Sequence, residues 1–148
     1  MAPQLPTRKL GKNGPQIPAI GFGLMGLSAF YGQAESDEAR FKVLDRAYEL
    51  GETFWDSADM YGDNEDLIGK WFARTGKRNE IFLATKFGNK SLGDGKRTVD
   101  SSPEYAREAC EKSLKRLGIE CIDLYYCHRV DKTTPIEKTV EAMAALKK

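Results

Sequence analysis

The feature that most constrains this chain is an alternation that recurs four times: a short apolar run, a glycine-rich or polar turn, then a segment with helical periodicity. The apolar runs are Ile17–Gly23, the stretch that opens at Thr53 and ends abruptly at Asp56, Ile81–Phe87, and Cys121–His128. Each is followed by a helix with its own punctuation. Ser36 can cap the first, with Asp37 and Glu38 in its opening turn, Val43, Leu44, Ala47 and Tyr48 on one face, and Gly51 closing it. Asn64 can cap the second, whose Leu67, Ile68, Trp71 and Phe72 share a face and which ends at Gly76. Ser102-Pro103-Glu104 opens the third, with Ala106, Ala109, Cys110, Leu114 and Leu117 inward and Gly118 as the stop. Thr134-Pro135-Ile136-Glu137 reads as a capping box for the fourth, which carries Ile136, Val140, Met143 and Ala144 and meets no stop signal before Lys148.

Strands separated by helices imply an α/β fold with a parallel sheet and right-handed crossovers. Four such units are half of an eight-stranded (β/α)8 barrel, for which about 250 residues is typical. They also approach an open flavodoxin-like sheet, which usually has about five strands. The absence of a stop in the last helix favours a truncated piece, a half barrel, over a finished fold. Residues 1–17 carry Pro3, Pro6, Gly11, Gly14 and Pro15, the signature of a hairpin or irregular lid preceding four βα units over 18–148.

The totals exclude several partners. With 23 basic and 22 acidic side chains, a net charge of +1 gives no whole-chain reason to expect nucleic acid. No apolar run approaches the roughly 20 residues that cross a bilayer, and the N-terminus lacks a signal peptide's apolar core, so no membrane is expected. Cys110, Cys121 and Cys127 form no C-x-x-C pair and leave an odd thiol. They are expected to be buried and inert, in a reducing, cytoplasmic setting. The single histidine, His128, leaves no pair for a metal, and no metal site is expected.

In parallel sheets with helical crossovers, function collects at the carboxyl ends of the strands. Asp56, Lys86 and His128 stand at three of those ends, and Tyr61 follows Asp56 by five residues in a turn with Gly62, Asp63 and Asn64. Alternation along each strand puts Phe54 with Asp56, Ala84 with Lys86, and Tyr126 with His128, so the four groups converge if those faces line a barrel. A carboxylate at the tip of a buried strand needs a partner, and Lys86 can be that partner for Asp56. A phenol has a reference pKa near ~10. A neighbouring ammonium favours the phenolate and makes Tyr61 a better proton donor, while a neutral imidazole can orient a substrate oxygen. The arrangement suits protonation of a carbonyl and lacks a source of electrons, so it calls for a hydride-carrying cofactor.

Blander readings exist for each residue alone. His128 could satisfy a backbone carbonyl, Lys86 could lie on the surface, Asp56 could cap a turn and Tyr61 could pack; their joint placement at one end of the sheet outweighs these. Gly21-x-Gly23-x-x-Gly26 matches a dinucleotide fingerprint, but no helix begins within it and Asp45 falls in mid-helix. Those glycines fit better a loop that passes close to a ligand. The stretch from Gly88 to Arg97, with Lys90 and Lys96, reads as a solvated, mobile loop rather than a phosphate patch. Trp55 should face the helices by alternation, and Tyr126 either lines the mouth or packs.

The motifs Leu10-Gly11 to Gly14, Ile20-Gly21-Phe22-Gly23-Leu24-Met25-Gly26, Phe54-Trp55-Asp56-Ser57-Ala58 with Met60-Tyr61-Gly62, Ala84-Thr85-Lys86 and Asp123-Leu124-Tyr125-Tyr126-Cys127-His128-Arg129-Val130-Asp131 resemble the N-terminal half of the aldo-keto reductases. The wording is nearest to auxin-induced and pyridoxal-reductase-like members. The resemblance implies an NADP(H)-dependent (β/α)8 barrel that reduces small carbonyl compounds. It places the family's tetrad on Asp56, Tyr61, Lys86 and His128, with Tyr61 as the acid, Lys86 and Asp56 tuning it, and His128 positioning the carbonyl. It places the NADPH/NADP+ contacts of this half on Gly23, Leu24, Met25 and Asp56. The remaining cofactor contacts belong to the family's second half and have no counterpart in these residues. Two expectations follow: a carbonyl reductase seen as its first half, or a catalytically silent half barrel acting as an interaction subunit. Either leaves sheet edges open to self-association.

Overall fold

The computed structural model describes residues 5–147. The hairpin or lid expected over residues 1–17 therefore falls partly, at residues 1–4, outside the described residues. Its remainder is a two-stranded antiparallel hairpin, β1 (Thr7–Lys9) against β2 (Gln16–Pro18). The run Ile17–Gly23 is not one strand. Its first residues complete the hairpin, and only Phe22–Gly23 (β3) enters the main sheet.

The chain then alternates as α1 (Asp37–Glu49), β4 (Phe54–Asp56), α2 (Asn64–Thr75), β5 (Phe82–Phe87), a hairpin of β6 (Asn89–Gly93) and β7 (Lys96–Val99), α3 (Pro103–Leu117), β8 (Leu124–Cys127) and α4 (Ile136–Leu146). β3, β4, β5 and β8 lie side by side in that order, every pair parallel. The expected loop after β5 is the β6–β7 hairpin, antiparallel and turned at Asp94 (φ 47°) and Gly95 (φ 74°). Asp-Gly at such a turn supplies the left-handed backbone that a tight hairpin needs.

Local signals explain most helix boundaries. The Ser36 hydroxyl accepts from the amide of Ala39 and that of Ser102 from the amide of Tyr105, each capping its helix. Gly76 and Gly118 close α2 and α3 in the left-handed conformation. Two expected caps are absent. Asn64 is the first residue of α2, and its side chain is drawn away into the interior. Thr134 makes no capping box, because its hydroxyl donates to Asp131 at 2.8 Å while Pro135 holds the cap position of α4.

The main core lies between the sheet and the helices. Trp55 on β4 packs against Trp71 and Phe72 of α2, with ring centroids 4.7 and 6.3 Å away. Leu24, Leu44, Leu67, Ile68, Ile81, Leu83 and Leu117 complete this cluster. The alternation argument for Trp55 thus matches its position. It holds less well at the flanks: Val43 is exposed on α1, and α4 turns Thr139 and Ala142 inward while Ile136 and Val140 stay 48% and 56% exposed. The cysteines also depart from expectation, since only Cys110 is buried; Cys127 is half-buried and Cys121 exposed.

Helices α2 and α3 touch through Gly69, where an added Cβ would lie 2.6 Å from the Arg116 carbonyl oxygen and 2.9 Å from that of Leu117. Alanine is the better helix former by about 1 kcal/mol, but backbone atoms cannot yield as a flexible side chain would. Gly69→Ala should therefore destabilise the fold by about 1–3 kcal/mol. A lower urea midpoint at unchanged slope is the expected readout.

Candidate active site

β4 delivers Asp56 at its last residue, β5 delivers Lys86, and His128 follows directly after β8. Asp56 stands opposite Ala84 in the parallel register, so Lys86 lies one pleat further on, and opposite it on β8 is Tyr126, which shares its face with His128. The chain leaving β4 stays tied to β5: Ser57 donates its amide to the Ala84 carbonyl at 2.8 Å, and Asp59 to that of Lys86 at 3.0 Å. Tyr61 closes the turn, accepting at its carbonyl from the amide of Asn64 at 3.1 Å.

The four polar groups named from the sequence meet at this end of the sheet. The Lys86 ammonium forms an ion pair with Asp56 and also donates to the Ser57 carbonyl at 2.8 Å. It sits 5.1 Å from the centre of the buried Tyr61 ring. The Tyr61 and His128 rings stand edge to face with centroids 6.0 Å apart. Burial, then the positive charges of Lys86 and Arg129, push the His128 imidazole below its usual pKa, against a weaker pull from Asp56. It is therefore neutral at neutral pH, and its Nδ1 is buried without a hydrogen-bond partner.

The rim that should face a cofactor is built differently from residue to residue. Gly23 pairs with Asp56, is exposed, and has no atom within 4 Å of where a Cβ would stand. Met25 is half-buried at the start of a 3-10 turn. Leu24 is fully buried, its amide bound to the Asp56 carbonyl at 2.9 Å and its carbonyl to the Asn64 side chain at 2.9 Å, so it shapes the loop from within.

Several supporting residues escaped the sequence reading. Asn64 crosslinks the site, donating to Leu24 O and to Ser28 Oγ at 3.2 Å while accepting from Ser57 Oγ at 2.6 Å. Arg40 reaches from α1 to both oxygens of Asp63, at 2.8 and 2.9 Å, and to Ser28, holding the Asp63 carboxyl down at about 2 chiefly through those hydrogen bonds. Gly62 (φ 60°) lies so close to this network that a Cβ there would come within 2.9 Å of the Ser28 carbonyl. Phe30 holds a left-handed backbone (φ 70°), strained for an aromatic residue. Its ring lies 6.4 Å from that of Tyr61, with the Arg97 guanidinium 5.6 Å over its face. No local sequence signal marks these contacts; they are made across the fold.

Beside the site, burial and then the charge of Glu65 push the Asp59 carboxyl up to about 7, and its Oδ1 has no partner. A carboxyl whose folded pKa exceeds its unfolded value stabilises the fold below the unfolded pKa, near ~4, and that contribution fades as pH rises through about 7. Asp59→Asn should remove this slope and stabilise the chain at pH about 8, by on the order of 1–2 kcal/mol once partial solvation is discounted. Urea unfolding of both forms at acid and alkaline pH checks this.

Among the described residues no group of three or more His, Cys, Asp or Glu side chains is placed to hold a metal ion, and no helix is long and apolar enough to cross a membrane. The chain is 58% identical over 149 residues to the aldo-keto reductase str7 of Strobilurus tenacellus, and 56% identical over 147 residues to the aldo-keto reductase yakc [NADP(+)] of Schizosaccharomyces pombe. In both cases 97% of this chain is covered but only 42% of the relative, so the chain spans less than half the length of the curated relatives it matches. The solved holo form of the aldo-keto reductase AKR11C1 from Bacillus halodurans superposes with a TM-score of 0.85 at 35% identity, covering 97% of this chain and 47% of that one. The four parallel βα units are thus the fold of about half such a barrel. With the model of the aldo/keto reductase family matching residues 19–148, the chain belongs to the aldo/keto reductase family.

Proposed function

We propose that this chain carries the proton-donating half of an oxidoreductase site that reduces small aldehydes or ketones to alcohols, with NADPH as the hydride donor. The observation that carries the reading is the convergence of a carboxylate-held ammonium, a buried phenol and a neutral imidazole at one end of the sheet. A carbonyl oxygen lodged between Tyr61 and His128 receives the Tyr61 proton as negative charge develops on it. Lys86 stabilises the charge left on the phenol oxygen, and Asp56 with the Ser57 carbonyl fixes the ammonium in place. The neutral His128 contributes an N–H hydrogen bond that orients the carbonyl.

The open, exposed backbone of Gly23 beside Asp56, with Met25 next to it, suits the approach of a planar ring. When bound, a nicotinamide supplies the hydride. The relative named for NADP(+) favours NADPH over NADH. The three free cysteines favour a reducing compartment such as the cytoplasm. Exposed Ile136 and Val140 on α4, together with Val43 and Leu50 at the opposite flank, favour self-association of the 148 residues taken alone. Sedimentation should show species heavier than one chain, and a monodisperse, cooperatively melting monomer would count against it.

Tyr61→Phe keeps the ring and removes the proton. In a complete reductase that contains these residues, turnover of a small aldehyde with NADPH should fall by at least ~100-fold, while cofactor binding, followed by its fluorescence, stays within about 2–3-fold of the parent, as for an interaction realised only in the transition state. Undiminished turnover would remove Tyr61 from the role of acid.

A further inference from the structure

We infer that Arg116, on α3 and outside the tetrad, is the positioning residue that sets Tyr61 against Lys86; the inference rests on the reading of Tyr61 as the proton donor. Its guanidinium makes five hydrogen bonds. Two go to the backbone on either side of Tyr61: Nη1 to the Asp59 carbonyl at 3.1 Å and Nη2 to the Gly62 carbonyl at 2.5 Å. Two go to Asp66 Oδ2, from Nε at 2.9 Å and from Nη2 at 2.7 Å, and the fifth runs from Nη1 to Glu65 Oε2 at 3.1 Å.

The last of these carries the clamp to the lysine strand. Glu65 is fully buried, and its other oxygen accepts from Thr85 Oγ1 at 2.7 Å, one residue before Lys86. One side chain thus ties both ends of the Tyr61 turn to the strand that holds the ammonium. The platform beneath it is firm, because α2 and α3 are in backbone contact at Gly69, against the carbonyl of Arg116 itself. Only a planar fork with five donors meets this set of acceptors. A lysine at the same place keeps the charge beside Glu65 and Asp66 but cannot span both carbonyls. Apart from Arg116 the turn is tied to the rest of the fold by Ser57 N on the Ala84 carbonyl, Asp59 N on the Lys86 carbonyl and Asp63 on Arg40, none of which reaches the Asp59 or Gly62 carbonyls. Losing the clamp should let the phenol drift while the core stays intact.

The test compares the parent with Arg116→Lys, Arg116→Gln and Asp66→Asn, the last removing charge from α2 but leaving both carbonyl bonds. Amide hydrogen exchange over 59–64 should quicken by ~10-fold or more in the Arg116 variants. The nuclear Overhauser contact between the Tyr61 ring and the Lys86 ε-methylene should vanish from them. Asp66→Asn should resemble the parent in both. In a complete reductase that contains these residues, with NADPH and a small aldehyde, Arg116→Lys should lower kcat by ~10-fold or more at unchanged KM. Parent-like exchange and contact in both Arg116 variants would overturn the inference, as would equal loosening by Asp66→Asn, which would assign the effect to the ion pair. Exchange and ring contact need no turnover. A failed acid assignment, seen in Tyr61→Phe, therefore remains distinguishable from a failed clamp.

Discussion

The parallel register between β4 and β5 is the constraint on which the rest of the site depends. It sets Asp56 opposite Ala84 and leaves Lys86 one pleat beyond the last residue of β4. From there the ammonium folds back to the Asp56 carboxylate and the Ser57 carbonyl. A slip of one residue would turn Lys86 toward Trp55 and Leu83, into a core with no acceptor for it. The apolar packing of the helix side therefore specifies the polar geometry of the other side. Trp55, wedged between Trp71 and Phe72, can occupy only one face, and Asp56 must then take the opposite one.

The Tyr61 turn is held by long-range hydrogen bonds more than by its own conformation. Arg40 grips Asp63 from α1, Arg116 grips the Asp59 and Gly62 carbonyls from α3, and Asn64 ties Ser57 to Leu24 beneath it. Two helices distant in sequence thus converge on one loop, and the Gly23–Met25 rim is fastened to the same network through Leu24. A largely buried loop tethered at these points departs from the usual mobility of loops. Such tethering is the preorganisation that the proposed role of Tyr61 as proton donor calls for, with the cost of orientation met during folding.

Much of this was legible in the sequence, for a physical reason. Period-two alternation and strand-end polarity are local, so Asp56, Lys86 and His128 could be placed on one face before any tertiary contact was known. Ser36, Ser102, Gly76 and Gly118 are caps whose partners lie within a turn, and they too read correctly. Asn64 misled because an Asn before a helical run has two possible uses, and a buried demand from Leu24 and Ser57 outweighed the local one. The β6–β7 hairpin was signalled, by Gly93-Asp94-Gly95 between Lys90-Ser91-Leu92 and Lys96-Arg97-Thr98-Val99, but its charged strands hid the alternation. Arg116 and Arg40 carried no signal at all, since an arginine in a helix declares nothing about acceptors up to 57 residues away.

Helix α4 shows the limit from the other direction. Its apolar residues have the right spacing, yet the side it turns inward carries Thr139 and Ala142, and the Thr139 hydroxyl is satisfied by the Ser101 carbonyl at 2.7 Å. A small, hydrogen-bonded face lets the helix sit close to α3, and Ile136 and Val140 are left about half exposed. Apolar periodicity reveals that a helix has a face to bury, not which neighbour buries it. Arg116, Asn64 and the Trp55 cluster, by contrast, find their partners within these four units.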